Sequence, residues 1–260
     1  TYEIIVEGGL TRLMALFKDQ DTERIGSVRS SRHYYLDYAL ENDAIYTHFG
    51  WSDIAKQDIS SLGINNINGL YDSGFWRHRT LGVDYEHTAF TSVSNLEDTI
   101  AKKGYRTTTD QDLLLNYQAL PIKMQELDSS QVANNIEIVY SQAQRTSYVY
   151  DPDTATYKRF VNGKEHTDAV TKEQYTAKNI ITYQVANYTM DSAGHQNLNN
   201  IGSGNGYYIS EGYAIPITWE KASRASQTVY RYLNGEELIV NDGNTFIQIQ
   251  PKGQSLTISE

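Results

Sequence analysis

From about residue 129 onward the helical repeat vanishes and apolar residues alternate with polar ones in short runs, and this change of period constrains the chain more than any other feature. Side chains at a period of two fall on opposite faces of a strand. Residues 136–140, 147–150, 156–160 and 179–188 therefore read as strands, followed by 206–209, 214–219, 228–232, 237–240 and 245–249. Asp151-Pro152, Asn162-Gly163, Asn234-Gly235 and Asp242-Gly243 supply the turns between them. The pattern predicts an antiparallel meander.

The front of the chain is mixed. Residues 2–6 and 11–17 flank Gly8-Gly9, predicting a hairpin. Residues 30–41 carry Tyr34, Tyr35, Leu36, Tyr38, Ala39 and Leu40 at helical spacing, with Ser30 or Ser31 available as a cap. A strand over 44–51 leads into Ser52-Asp53, an N-cap for a helix that Gly63 ends. Ser94 and Glu97 form a capping box for a helix over 95–103, with Lys102 and Lys103 at its negative end. Thr109 opens a further short helix to Tyr117, which Pro121 closes. The expected fold class is α+β: a mixed α/β N-terminal half over 1–128 and a mainly antiparallel β C-terminal half over 129–260, packed together.

Charge and composition exclude several functions. With 22 Lys and Arg against 32 Asp and Glu, the net charge of −10 repels a phosphate backbone, so nucleic acid is not an expected partner. The chain has no cysteine, which removes disulfides, thiolate metal sites and cysteine nucleophiles together. No run approaches the roughly 20 apolar residues that span a bilayer, and a water-soluble chain is expected. It opens on the strand-like Thr1-Tyr2-Glu3-Ile4-Ile5-Val6 without an initiator Met, so an upstream segment is expected to have been removed. The six histidines lack the short spacings of a metal site, and neither metal nor cofactor is expected.

Several motifs dissolve on inspection. Asp151-Pro152-Asp153-Thr154-Ala155 has the paired aspartates of a phosphoryl-transfer loop, but strand-like runs on both sides make it a hairpin turn. Gly202-Ser203-Gly204-Asn205-Gly206 precedes a strand, not a helix, and reads as a tight turn without phosphate chemistry. The cluster Arg29-Ser30-Ser31-Arg32, ahead of a helix, has the guanidiniums, hydroxyls and free amides of an anion seat. The opposing reading pairs Arg29 and Arg32 with Glu3, Glu7 or Asp37. A second cluster, Trp219 with Lys221 and Arg224, sets an aromatic platform before two cations. The candidate ligand-binding residues are thus Arg12, Arg29, Ser30, Arg32, His48, Trp219, Lys221 and Arg224.

Taken in order, residues 6–12 (Val-Glu-Gly-Gly-Leu-Thr-Arg), 28–32, Asp151-Pro152 with Tyr157-Lys158-Arg159-Phe160, 176–179, and Gly202-Ser203-Gly204 with 218–221 resemble the YerB-type putative lipoproteins of Gram-positive bacteria. The resemblance spans nearly the whole chain. It implies an N-terminal and a C-terminal domain, and an extracytoplasmic protein lipid-anchored to the outer face of the cell membrane through the removed segment. The chain departs from the family in Ser27 and His33, where prolines are common, and in Thr88 after His87, where asparagine is usual.

Three functions follow as expectations. The leading one is an envelope-associated binding or accessory protein recognising an anionic cell-wall component or an envelope protein. The second is a cell-wall hydrolase using a carboxylate pair from Glu3, Glu7 and Asp37 with His48 as proton carrier. The third is a scaffold without a small-molecule site.

Overall fold

The computed structural model describes residues 1–260. Contacts divide it into two units: Thr1–Ala15 with Leu114–Ser223 and Thr228–Glu260, and Leu16–Leu113 with Arg224–Gln227. The first strand groups with the rear of the chain in these units. Tyr2–Ile5 pairs antiparallel with Thr11–Met14, as the hairpin reading requires, but also parallel with Thr245–Pro251, which binds it to the rear of the chain.

The first unit contains an eight-stranded sheet in the order Thr11–Met14, Tyr2–Ile5, Thr245–Pro251, Asn179–Val185, Gly202–Ser210, Tyr213–Lys221, Val229–Tyr232, with Gln131–Val132 beside Tyr213–Lys221. Thr245–Pro251 runs parallel to both its neighbours, so the sheet is mixed and not the simple meander expected. A six-stranded antiparallel sheet holds Lys164–Glu165, Thr156–Val161, Arg145–Asp151, Asn135–Val139 and Leu256–Ser259 in that order, with Thr176–Ala177 also on Thr156–Val161. Every residue of Thr245–Pro251 is buried, which places this strand within the core and explains its two glutamines. Gln248 donates to Tyr148 Oη and accepts from Tyr140 Oη, and Gln250 donates to Val139 O.

A buried ion pair lies in the same core. Glu3, on the first strand, is fully buried and accepts from Arg159 Nη2 at 2.7 Å, from Thr11 Oγ1 at 2.7 Å and from Thr146 Oγ1 at 2.8 Å. Arg159 is 1% exposed, and its other terminal nitrogen faces His166 Nδ1. Desolvating two charges is costly, and the added hydroxyls are what make the pair tolerable. Glu3 is accordingly unavailable as a catalytic acid or base.

Two sequence expectations fail here for identifiable reasons. The glycine-rich run from Gly202 is strand, not turn: a Cβ on Gly206 would stand 2.5 Å from Thr182 O, so glycine lets two strands close up. The helix expected over 109–117 does not form, because Asn116–Gln118 is drawn into parallel pairing with Ile239–Asn241.

In the second unit, a 3-10 turn over His33–Tyr35 leads into α1 (Leu36–Glu41), followed by α2 (Asp53–Ser61) and α3 (Val93–Lys103). Ser52 caps α2, accepting from Ala55 N. Ser92, not Ser94, caps α3, since the helix starts two residues earlier than its capping box suggests; Gly104 ends it at φ 65°. Ile25–Gly26, Ala89–Thr91 and Trp76–Arg77 form a three-stranded sheet. Tyr46–His48 and Asn66–Asn68 pair in parallel across α2, completing a small βαβ unit. The expected α+β class holds.

Arg159→Met is expected to lower unfolding free energy by about 3–5 kcal/mol in urea denaturation, because it strands the Glu3 carboxylate in the core. Burial and the neighbouring Arg159 hold His166 at about 4, below its ordinary 6.5. A depressed histidine is charged first in the unfolded chain, so its contribution is complete above about pH 6.5 and declines as pH falls toward 4. The urea midpoint is expected to drop between pH 7 and pH 5, and less steeply in His166→Phe.

Candidate functional site

The βαβ unit builds a cleft of about 440 Å³. That volume suits a small ligand. Trp51 follows the first parallel strand, and Asn68, Tyr71 and Asp72 end or follow the second. These are the carboxyl ends of parallel strands, where backbone direction changes and side chains converge. Lys56, Ile59 and Ser60 enter from α2, Ile64 and Asn66 from the return segment, and Lys103 from the end of α3.

A row of rings forms one wall. Tyr46 stacks on His48 at 5.3 Å, His48 lies 5.5 Å from Trp51, and Trp51 lies 5.7 Å from Tyr71 with the ring planes 36° apart. Tyr71 is 72% exposed, an aromatic face left open to solvent at the cleft mouth. The ammonium of Lys56 sits 5.9 Å from the Trp51 ring centre. His48 itself is buried: Nδ1 is 2.7 Å from Gly50 O and Nε2 3.1 Å from Asn66 Oδ1. Desolvation pulls its proton affinity below the ordinary histidine value. It supports Trp51 from behind and is poorly suited to carry protons.

The floor is held by Asn68. Its Oδ1 accepts from Gly50 N at 2.9 Å and Leu70 N at 3.1 Å, and its backbone N–H donates to Asp72 Oδ2 at 2.8 Å. Lys103 Nζ completes the arrangement, 2.9 Å from Asp72 Oδ1. The Asn68 side chain is 2% exposed, yet its Nδ2 has no hydrogen-bond partner. A buried unsatisfied donor costs about 1–3 kcal/mol.

The anion seat expected at residues 29–32 is not built as expected. Ser31 N donates to Gly50 O, Phe49 N to Arg29 O, and Ser30 Oγ to Phe49 O, so this segment lies in a ladder against 49–51 and its groups do not open toward a guest. Arg32 turns back on the carbonyls of Ser30 and Ser31. Arg29 pairs with Glu86 at 3.3 Å, a partner far along the sequence. Arg224 is clamped between Asp37 at 2.6 Å and Asp58 at 2.7 Å, and donates to His33 O.

In the first unit, Arg12 lies 3.9 Å from Glu7. Lys221 is 1% exposed and Trp219 5%, its ring 4.7 Å from Tyr183, and Trp219 also lines a second cavity of about 220 Å³ with Gly204, Thr218 and Arg231. Of the eight sequence candidates, only His48 adjoins the cleft. Trp51, Asn68, Tyr71, Asp72 and Lys103 were missed. The available signal was Asn66-Ile67-Asn68 after the Gly63 helix stop, a return strand short enough to escape a periodicity reading.

These features define a two-unit α+β chain with one ring-walled, polar-floored cleft. Family models for the N-terminal and C-terminal domains of "Protein of unknown function (DUF3048)" match residues 1–106 and 136–247, and the chain belongs to this family. It is similar to "Putative lipoprotein YerB" of Bacillus subtilis (strain 168), 27% identical over 268 residues that cover 99% of this chain and 76% of the relative. It is also similar to the crystal structure of YerB protein from Bacillus subtilis, with a TM-score of 0.83 and 26% identity over 98% of this chain and 85% of that one. The family resemblance read from the sequence is thereby borne out.

Arg224→Ala is expected to destabilise the protein by about 1–3 kcal/mol in thermal unfolding, between the values for exposed and buried pairs, because Asp37 is 8% exposed and loses its partner.

Proposed function

We propose that this chain is an extracytoplasmic, envelope-associated binding protein whose cleft beside α2 holds a component of the cell wall. The lipoprotein naming of the Bacillus subtilis relative supports the location, with a lipid anchor at the outer face of the membrane. The observation that carries the binding reading is the pairing of an open aromatic face, Trp51 with Tyr71, with a buried and unpartnered Asn68 donor. Flat rings suit the apolar face of a sugar, while amide, carboxylate and ammonium groups below suit its polar substituents. The ligand is therefore a wall glycan, and the arginine-lined anion seat gives way to this cleft.

The hydrolase reading has less support. Glu3 is sealed with Arg159, Glu7 stands beside Arg12, and Asp37 is paired with Arg224. Within the cleft, Asp72 is held by Lys103 and by Asn68 N.

The test is co-sedimentation of the purified chain with insoluble peptidoglycan sacculi. The wild type is expected in the pellet, and Tyr71→Ala, whose ring is mostly exposed, is expected to weaken binding about tenfold, ~1.4 kcal/mol, without altering thermal stability. A wild type that stays in the supernatant overturns the reading.

A further inference from the structure

The second cavity, of about 220 Å³, lies on the larger sheet of the first unit. Strand register builds it. Asn205 pairs with Thr218 and Thr218 with Arg231, while in the next row Ser203 pairs with Glu220 and Glu220 with Val229, so these side chains share one face of three adjacent strands. All six residues line the cavity.

The charges in this cavity are unmet. Arg29, Arg159 and Arg224 each find an acid, but no acid, ring or carbonyl stands against the guanidinium of Arg231. Its Nη1 is sealed and out of reach of any guest. Arg231 is only partly buried, however, and its Nε and Nη2 remain open to solvent. Glu220, on the same face one pair along, is exposed and has no cation partner. Long side chains span such a diagonal, about 7–8 Å between Cα atoms, yet these two do not pair with each other.

A carboxylate alone would answer the guanidinium but face Glu220, and an ammonium alone would answer Glu220 but face Arg231. A molecule carrying both meets each charge with its opposite. The hydroxyls of Ser203 and Thr218 and the amide of Asn205 also lack protein partners and suit a peptide group between the two charges. The cavity has room for about seven waters at ~30 Å³ each, which matches a dipeptide better than a longer chain.

We propose that this cavity binds a small zwitterionic peptide, its carboxylate on Arg231 Nε and Nη2 and its ammonium on Glu220. The site is separate from the cleft beside α2 and does not depend on the glycan reading.

Calorimetric titration of the full chain with glycylglycine, its N-acetyl derivative and its C-terminal amide tests this. The free dipeptide is expected to bind at least tenfold more tightly than either blocked form. Glu220→Gln, at an exposed position, is expected to remove the preference over the N-acetyl form and keep the preference over the amide. Arg231→Gln is expected to do the reverse. Should the arginine variant fail to fold, the blocked ligands on the wild type and on Glu220→Gln decide. Equal binding of the free dipeptide and either blocked form by the wild type overturns the proposal, as does a preference over the N-acetyl form that survives Glu220→Gln. Absence of glycylglycine binding at millimolar concentration overturns it as well.

Discussion

The first unit depends on the Glu3–Arg159 pair. A carboxylate with no exposed surface is tolerable only when its charge is met and its lone pairs are filled, and Glu3 has one oxygen on a guanidinium and the other on two hydroxyls. Glu3 comes from the larger sheet, whereas Arg159 and Thr146 come from the smaller one. A shift of either strand by one residue would turn its half of the pair to the opposite face and leave a naked charge in the core. The same layer holds Tyr140, Tyr148 and Gln248 in mutual hydrogen bonds, so register is fixed by polar complementarity as well as by apolar packing.

This explains which parts of the fold could be read from sequence. Alternation over 136–140, 147–150 and 156–160 is strong because one face of each strand is buried, and those strands appear with bounds shifted by one or two residues. Thr245–Pro251 was legible as a strand, but its direction was not. Parallel pairing with residues 2–5 is decided by partners more than 240 positions away, and nothing local records it. The hairpin at 2–14 shows the same limit: a hairpin is a local object, while the sheet it joins is not. The start of α3 was legible to within two residues: the cap is Ser92, whose hydroxyl lies 3.1 Å from that of Ser94 inside the helix.

The candidate site was less legible. Clustered arginines in an acidic protein draw attention because they are few, yet scarcity makes each one easy to neutralise: 32 acidic residues offer partners to 22 basic ones. Arg29 finds Glu86, and Arg224 finds Asp37 and Asp58, all across long sequence separations. The cleft residues carry no such flag. Trp51 reads as the end of a strand and Tyr71 as one tyrosine among 21. Only the geometry of a βαβ crossover brings them to one mouth.

That crossover also accounts for the unfilled Asn68 donor. The carbonyl end of the Asn68 side chain is fixed by two backbone amides that must be satisfied where the strand at 66–68 turns toward Tyr71, so its amide nitrogen has to point the other way. Aspartate could accept the same two bonds without leaving a donor unmet, but it would set a second carboxylate beside Asp72. Leucine would remove the donor and abandon both amides. Asparagine is therefore the residue that closes this turn neutrally, and its remaining N–H is left without a protein partner. The turn thus requires the acceptor of Asn68 and leaves its donor unmet.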